Sequence, residues 1–292
     1  MGYFDQHLHS WHSFDSQTPP EENVRRALEV RLTGLTFTEH YDTHPQDWPT
    51  CRYDDARYSD EIAALRARFG EQIFIGKGIE VCYQPAQMGA VLDFLERHEF
   101  DLVLLSVHWC GDRALHIREH WPERDASRMV RANLETALEA ARFCRERRQR
   151  GERAFDVLGH LDLAKRYVYR FFEKPPPELD PSIVDEILRT CLEADLIPEV
   201  NTSTLRQGLD EPMPGPGVIR RYAELGGTVM SLGSDAHRAR DIGADFDRTS
   251  YLLRNAGIAQ VACYRARALT AEPAHPHAKR PMHGRCPDPH VR

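Results

Sequence analysis

Histidines and carboxylates recur in this chain at the ends of short apolar runs. They are His7 and His9, His40, Glu80, His108, His160, and the pair Asp235 and His237. Two residues apart on an extended strand, as in H-L-H and D-A-H, both side chains point to one side. Imidazole and carboxylate together are the donor set of borderline divalent metals. A lone histidine at a strand end is more often a hydrogen-bonded structural residue than a ligand. Six strand ends so occupied make that alternative hold six times over, and several ionisable groups buried in one cleft are costly without a metal to neutralise them. A sixth run, ending at Asn201, breaks the pattern. Glu39 and Asp42 flank His40 and are candidates to orient an imidazole. His12, His44, His98, His116 and His120 lie away from strand ends and read as surface or helix histidines, with His12 close enough to the first pair to rival its neighbours as a ligand.

The elements that must position these groups alternate. Apolar runs predict strands at Tyr3–His9, Leu32–Thr38, Ile73–Glu80, Leu102–His108, Phe155–His160, Ile197–Asn201 and Thr228–Ser234. Amphipathic stretches between them predict helices at Glu21–Val30, capped by Thr18 ahead of two prolines, and at Asp55–Arg68, Ala86–Arg97, Ala126–Arg148, Ser182–Glu193, Gly217–Leu225 and Phe246–Asn255. Seven strand–helix units imply an α/β fold with parallel strands covered by helices. No glycine-rich phosphate loop follows the first strand, so a closed or distorted barrel fits better than a doubly wound sheet. Parallel closure gathers every strand end on one face.

Composition narrows the function. The 292 residues are 41% hydrophobic, enough for a full core, and 45 acidic against 38 basic residues give a net charge of -7. That balance opposes general nucleic-acid binding. No apolar stretch approaches a membrane span, and the polar start MGYFDQHLHS carries neither an apolar leader core nor, with Gln6, a myristoylation pattern; a soluble, cytoplasmic protein is expected. The seven cysteines (51, 82, 110, 144, 191, 263, 286) show no C-x-x-C spacing and imply neither a disulfide framework nor a zinc ribbon. The end of the chain, with five prolines and four histidines in Ala271–Arg292, predicts a disordered tail over 269–292 after a catalytic domain at 1–268.

The run D-Q-H-L-H-S-W-H-S-F-D at Asp5–Asp15 resembles the first motif of the PHP (polymerase and histidinol phosphatase) superfamily. T-E-H-Y-D at 38–42, G-I-E at 78–80, S-V-H at 106–108, G-H-L-D at 159–162 and G-S-D-A-H at 233–237 resemble the remaining motifs in the family's order. The resemblance covers about residues 3–240. It implies a distorted (β/α)7 TIM-like barrel with a trinuclear centre of divalent ions, zinc, iron or manganese. By motif position, His7, His9, Glu80 and Asp235 would hold one ion. Glu80 would bridge to a second held by His108 and His160, and Asp15, His40 and His237 would hold a third. His12 remains a rival to Asp15. The expected nucleophile is hydroxide bridging two ions, with the third neutralising phosphate oxygens and no phosphoenzyme formed. Glu80, Asp235 and His237 would then carry catalysis.

Three features point to a phosphomonoesterase acting on L-histidinol phosphate, an enzyme of histidine biosynthesis. The chain has the size of a free-standing enzyme, and its charge suits a small substrate, with no nucleic acid or membrane partner. The segments G-H-L-D-L-A-K-R-Y (159–167) and P-E-V-N-T-S-T-L-R (198–206) also look like those of the family's histidinol-phosphate phosphatases. Arg166 and Arg206 would grip phosphate, assisted by Asn201 and Ser234, while Asp42, Asp162 and Trp109 are candidates for the substrate's ammonium and imidazole. The alternatives are a phosphoesterase of other specificity, acting on nucleotides or oligonucleotides, and a non-catalytic metal-binding barrel. Oligomeric state is not legible.

Overall fold

The computed structural model describes residues 2–51, 53–122 and 125–274. In chain order it contains β1 (Phe4–Leu8), α1 (Pro20–Glu29), β2 (Gly34–Tyr41), α2 (Asp55–Phe69), β3 (Phe74–Cys82), α3 (Met88–Arg97) and β4 (Leu102–Ser106). A hairpin of two-residue strands, β5 (Trp109–Cys110) and β6 (Arg113–Ala114), and the long α4 (Ser127–Gln149) follow. The chain continues through β7 (Val157–Leu158), α5 (Ala164–Phe172), α6 (Pro181–Ala194), β8 (Ile197–Asn201), α7 (Ser203–Arg206), α8 (Pro216–Glu224) and β9 (Val229–Gly233). It ends in α9 (Phe246–Ala256), β10 (Gln260–Arg265) and β11 (Ala268–Pro273).

All seven expected strands form, and they pair in parallel in the order β1-β2-β3-β4-β7-β8-β9. The ring closes only at its C-terminal ends. Leu8 bridges Ala236 in parallel, the Asp235 N–H donates to the His7 carbonyl at 2.7 Å, and the His9 N–H donates to the Ala236 carbonyl at 2.8 Å. Towards the other end β10 takes the place beside β9, and the Gln6 side chain accepts the Tyr264 N–H at 3.0 Å. β1 changes register against β2 between Asp5 and Leu8. The result is the distorted seven-stranded barrel that the alternation predicts.

Strand parity decides what faces where. On β4, Leu102 and Leu104 join Val157, Ala262 and Tyr264 in a small inner cluster, while Val103 and Leu105 belong to the main core. The same parity aims Ser106 inward at Glu80, with its hydroxyl 2.6 Å from Oε1. The main core lies between the sheet and the helices, where α4 packs along α6.

Three expectations change. Thr18 does not cap the first helix: Pro19 occupies that position, and the Thr18 hydroxyl donates to the His237 carbonyl at 3.0 Å. The boundary placed at 268/269 falls inside the sheet, because β11 pairs antiparallel with all of β10. Residues 275–292 of the expected tail lie outside the described residues. The helix α5 and the β10–β11 pair were not anticipated. All six described cysteines are free, and no helix among the described residues is long and apolar enough to cross a membrane.

Candidate metal centre

The strand ends deliver their side chains to one buried cluster. His7 comes from β1 and His9 from just beyond it, His40 from β2, Glu80 from β3, His108 from just beyond β4 and His160 from just beyond β7. Asp235 and His237 follow β9. Hydrogen bonding at the far side of each ring fixes which nitrogen faces inward. His7 Nδ1 lies 2.6 Å from Glu199 Oε1. The Ser13 hydroxyl donates to Glu39 at 2.5 Å and so accepts from His9 Nδ1 at 3.1 Å. With both imidazoles neutral, both Nε2 atoms would present lone pairs, and they face each other at 3.2 Å. Glu80 Oε2 lies 3.4 and 3.6 Å from them, and Asp235 Oδ1 lies 3.8 and 3.5 Å away. Two Nε2 atoms and two carboxylate oxygens gathered this closely are reconciled by positive charge, a proton on His7 in the metal-free protein or a cation among them.

Glu80 faces two ways. Oε2 looks toward His7 and His9, and Oε1 toward His160 Nε2 at 3.0 Å and His108 Nε2 at 3.4 Å. His108 is oriented by Asp42, whose carboxylate sits 3.1 Å from Nδ1. On the outer side, Asp15 Oδ2 lies 2.9 Å from His237 Nε2 and 3.4 Å from His40 Nε2, while His40 Nδ1 lies 3.0 Å from Glu80 Oε2. Geometrically compact trios recur here: His7–His9–Asp235, His7–Glu80–His160, His40–Glu80–His108 and His9–His40–His237. Glu80 Oε2 and His40 Nδ1, which face each other across the cluster, are buried without a hydrogen-bond partner. These orphaned atoms fit a metal.

Electrostatics agree. Burial alone would raise the Glu80 carboxyl, but His7, His108 and His40 hold it well below the usual range. Asp235 behaves likewise: burial raises it, and Arg166 with His9, His7 and His237 overrides that. Burial, with His40 and His237 opposite, pushes His9 down to about 3, so it is a neutral imidazole. Burial would also depress His7, His40 and His108, but their carboxylates raise them well above the ordinary value: Glu199 and Glu80 for His7, Asp15 and Glu80 for His40, Asp42 and Glu80 for His108. The cluster thus retains positive charge against its carboxylates, and divalent ions would supply the same charge with every imidazole neutral. Asp235 also has φ 53°, a left-handed conformation that costs about 1–3 kcal/mol for a residue other than glycine and concentrates at functional sites.

The cluster opens on a cleft of about 1220 Å³ whose walls include Asp15, His237, Arg166, Arg206 and Tyr169. Arg166 donates to Asp235 Oδ2 at 2.5 Å and to the Ser203 hydroxyl, and its Nε has no partner. Arg206 donates from Nη1 and Nη2 to the carbonyls of Ser234 and Asp235, both at 2.8 Å. Arg170, Arg238 and Arg240 extend this basic wall outward.

The nine residues assigned as ligands by motif position thus all reach the cluster, Asp15 included. His12 does not: its Nε2 turns to Glu61 at 3.2 Å. His44 stacks on Trp109 at 3.5 Å between ring centroids, and His98, His116 and His120 pair elsewhere. The candidates for the substrate's ammonium and imidazole fare worse. Trp109 is fully buried and donates to Asp47, Asp162 is 2% exposed and pairs with Lys165 at 2.9 Å, and Asp42 is committed to His108. Asn201 is buried among Glu199 and Ser203 rather than offered to a ligand. Ser234 is likewise fully buried, its N–H donating to Asp5. Glu199 went unnoticed. Its signal was a charge inside the apolar run I-P-E-V-N, two residues before Asn201 and hence on the same inward face.

A seven-stranded α/β barrel that converges imidazoles and carboxylates at its strand ends is the frame of a metal-dependent enzyme. The chain belongs to the PHP domain family, whose model matches residues 5–203. A probable histidinol-phosphatase of Deinococcus radiodurans is 28% identical over 270 residues, covering 88% of this chain and 94% of that protein. The histidinol-phosphatase of Lactococcus lactis is 26% identical over 267 residues, covering 90% and 95%. The crystal structure of a histidinol phosphate phosphatase from Lactococcus lactis, complexed with zinc, L-histidinol and phosphate, superposes with a TM-score of 0.76 at 25% identity over 92% of this chain and 98% of that one.

Proposed function

We propose that this chain is a metal-dependent phosphomonoesterase that hydrolyses L-histidinol phosphate to L-histidinol and phosphate. The observation that carries the reading is the meeting of His7 and His9 Nε2 with Glu80 and Asp235, a buried donor set that would hold a divalent ion with both imidazoles neutral. Relatives named histidinol-phosphatases, aligned over nearly their whole length, supply the substrate, and the Lactococcus lactis complex with zinc, L-histidinol and phosphate supports both metal and ligand.

His7, His9, Glu80 and Asp235 would hold one ion, Glu80, His108 and His160 a second, and Asp15, His40 and His237 a third, with zinc, iron or manganese as the suited metals. Bound there, such ions acidify water and neutralise phosphate oxygens. Glu80 would serve two subsites through its two oxygens, and Asp235 and His237 line both the cluster and the cleft. Arg166, anchored on Asp235, and Arg206, anchored on the backbone around it, present guanidinium N–H groups to the phosphate. The proposed catalytic unit runs through β11, works without nucleic acid or membrane, and suits a cytoplasmic setting. Phosphate release from L-histidinol phosphate, a nucleoside monophosphate and a bis-aryl phosphodiester tests the substrate: selective hydrolysis of the first is expected, and preferential diester cleavage would overturn it.

A further inference from the structure

β8 is the one barrel strand that contributes no proposed metal ligand, yet it carries a fully buried carboxylate at the centre of the site. We propose that Glu199 is a positioning residue that couples two metal subsites, one oxygen fixing the His7 ring and the other the peptide that carries His160. This rests on the metal-centre reading above.

Glu199 Oε1 lies 2.6 Å from His7 Nδ1, and Oε2 accepts the His160 N–H at 2.8 Å and the Asn201 amide at 3.3 Å. A backbone N–H only donates, and His7 needs Nδ1 protonated to aim a lone pair from Nε2 at Glu80 and Asp235. Glu199 must therefore accept on both sides, which a carboxylate does and an amide does not. Among the described residues its ion-pair partner is His7 alone, so its buried charge is balanced through that ring. The contact continues outward: Asn201 Oδ1 accepts the Ser203 hydroxyl at 2.5 Å, and Ser203 in turn meets Arg166.

Gly233 on β9 gives independent support. It has no positive φ that would demand glycine, but a Cβ there would stand 2.4 Å from Glu199 Oε1 and 2.5 Å from His7 Cβ. The glycine makes room for this pair.

The test measures zinc affinity of the metal-free protein by competition with a chromophoric chelator, together with the metal-free thermal midpoint and the visible spectrum of the cobalt-loaded form. Glu199→Gln should weaken zinc binding by roughly ten- to a hundredfold, alter the cobalt spectrum, and leave the metal-free midpoint near that of the parent. Gly233→Ala should weaken binding in the same direction by displacing the same pair, and Glu199→Asp, which keeps both acceptors, should restore part of the affinity. Parent-like zinc affinity in both Glu199→Gln and Gly233→Ala would overturn the proposal, as would a metal-free Glu199→Gln protein destabilised as much as its loaded form. If the parent protein binds no zinc, the metal-centre reading itself falls. If the parent binds and Glu199→Gln binds equally, only the coupling role falls.

Discussion

Glu80 is where a single change should cost most. Its Oε2 faces His7, His9 and His40 and its Oε1 faces His108 and His160, and an amide offers one acceptor where two are used. Glu80→Gln is expected to lower kcat/KM by about a thousandfold or more and to release metal, measured by phosphate release and metal analysis on folded protein. Arg206→Ala removes a charge-assisted donor from the cleft and should raise KM at least about tenfold, and by stranding the Ser234 and Asp235 carbonyls it should also lower the thermal midpoint by a few degrees; steady-state kinetics beside a melting curve separates the two. The imidazoles set a pH dependence. Held above the ordinary histidine range in the metal-free protein, His7, His40 and His108 stay protonated to higher pH, so protons compete with metal there. Apparent zinc affinity should therefore climb with pH through and beyond the ordinary imidazole range, with about one proton released per ion from these three rings. A flat titration would contradict the ligand assignment.

At the scale of elements, closure of the barrel and construction of the site are one event. The bonds from Asp235 N–H to His7 and from His9 N–H to Ala236 join β1 to the turn after β9, and Asp5 fastens that turn by accepting the N–H groups of Ser234 at 2.9 Å and Gly243 at 3.0 Å. Asp5→Ala strands those donors and should destabilise the fold by about 2–4 kcal/mol, read as a denaturant midpoint. The last strand matters too. β11 covers the edge of β10, and the Ala274 N–H donates to Ala259 at 2.9 Å. A chain ended after Ala274 should keep its turnover and midpoint, whereas one ended after Arg267 should lose several degrees or more.

For the whole molecule, a net charge of -7 surrounds a cleft whose wall carries Arg166, Arg170, Arg206, Arg238 and Arg240. Asp15, Glu173, Asp235 and Asp241 share those walls, so the cleft is nearly balanced in the metal-free protein; loaded with divalent ions it would attract a small phosphate dianion while the negative body repels extended polyanions. Salt should lower kcat/KM by roughly threefold between low ionic strength and about 0.3 M. Much of this was legible in the chain. Strand alternation placed His7 with His9, and short apolar runs marked all seven barrel strands; Asp235 and His237 also meet, but through a left-handed residue beyond β9 and not along an extended strand. What was missed depended on partners distant in sequence. Glu199 makes sense only against His7, 192 residues away. Trp109 and Asp162 looked available until packing buried the one and Lys165 neutralised the other. The β10–β11 pair lay next to a proline- and histidine-rich composition that masked its alternation. The most direct test of the account is to titrate the metal-free protein with zinc or manganese while following phosphate release from L-histidinol phosphate. Turnover absent without metal, rising with each addition and saturating near three ions per chain, is the predicted result; full turnover in the metal-free protein would contradict it.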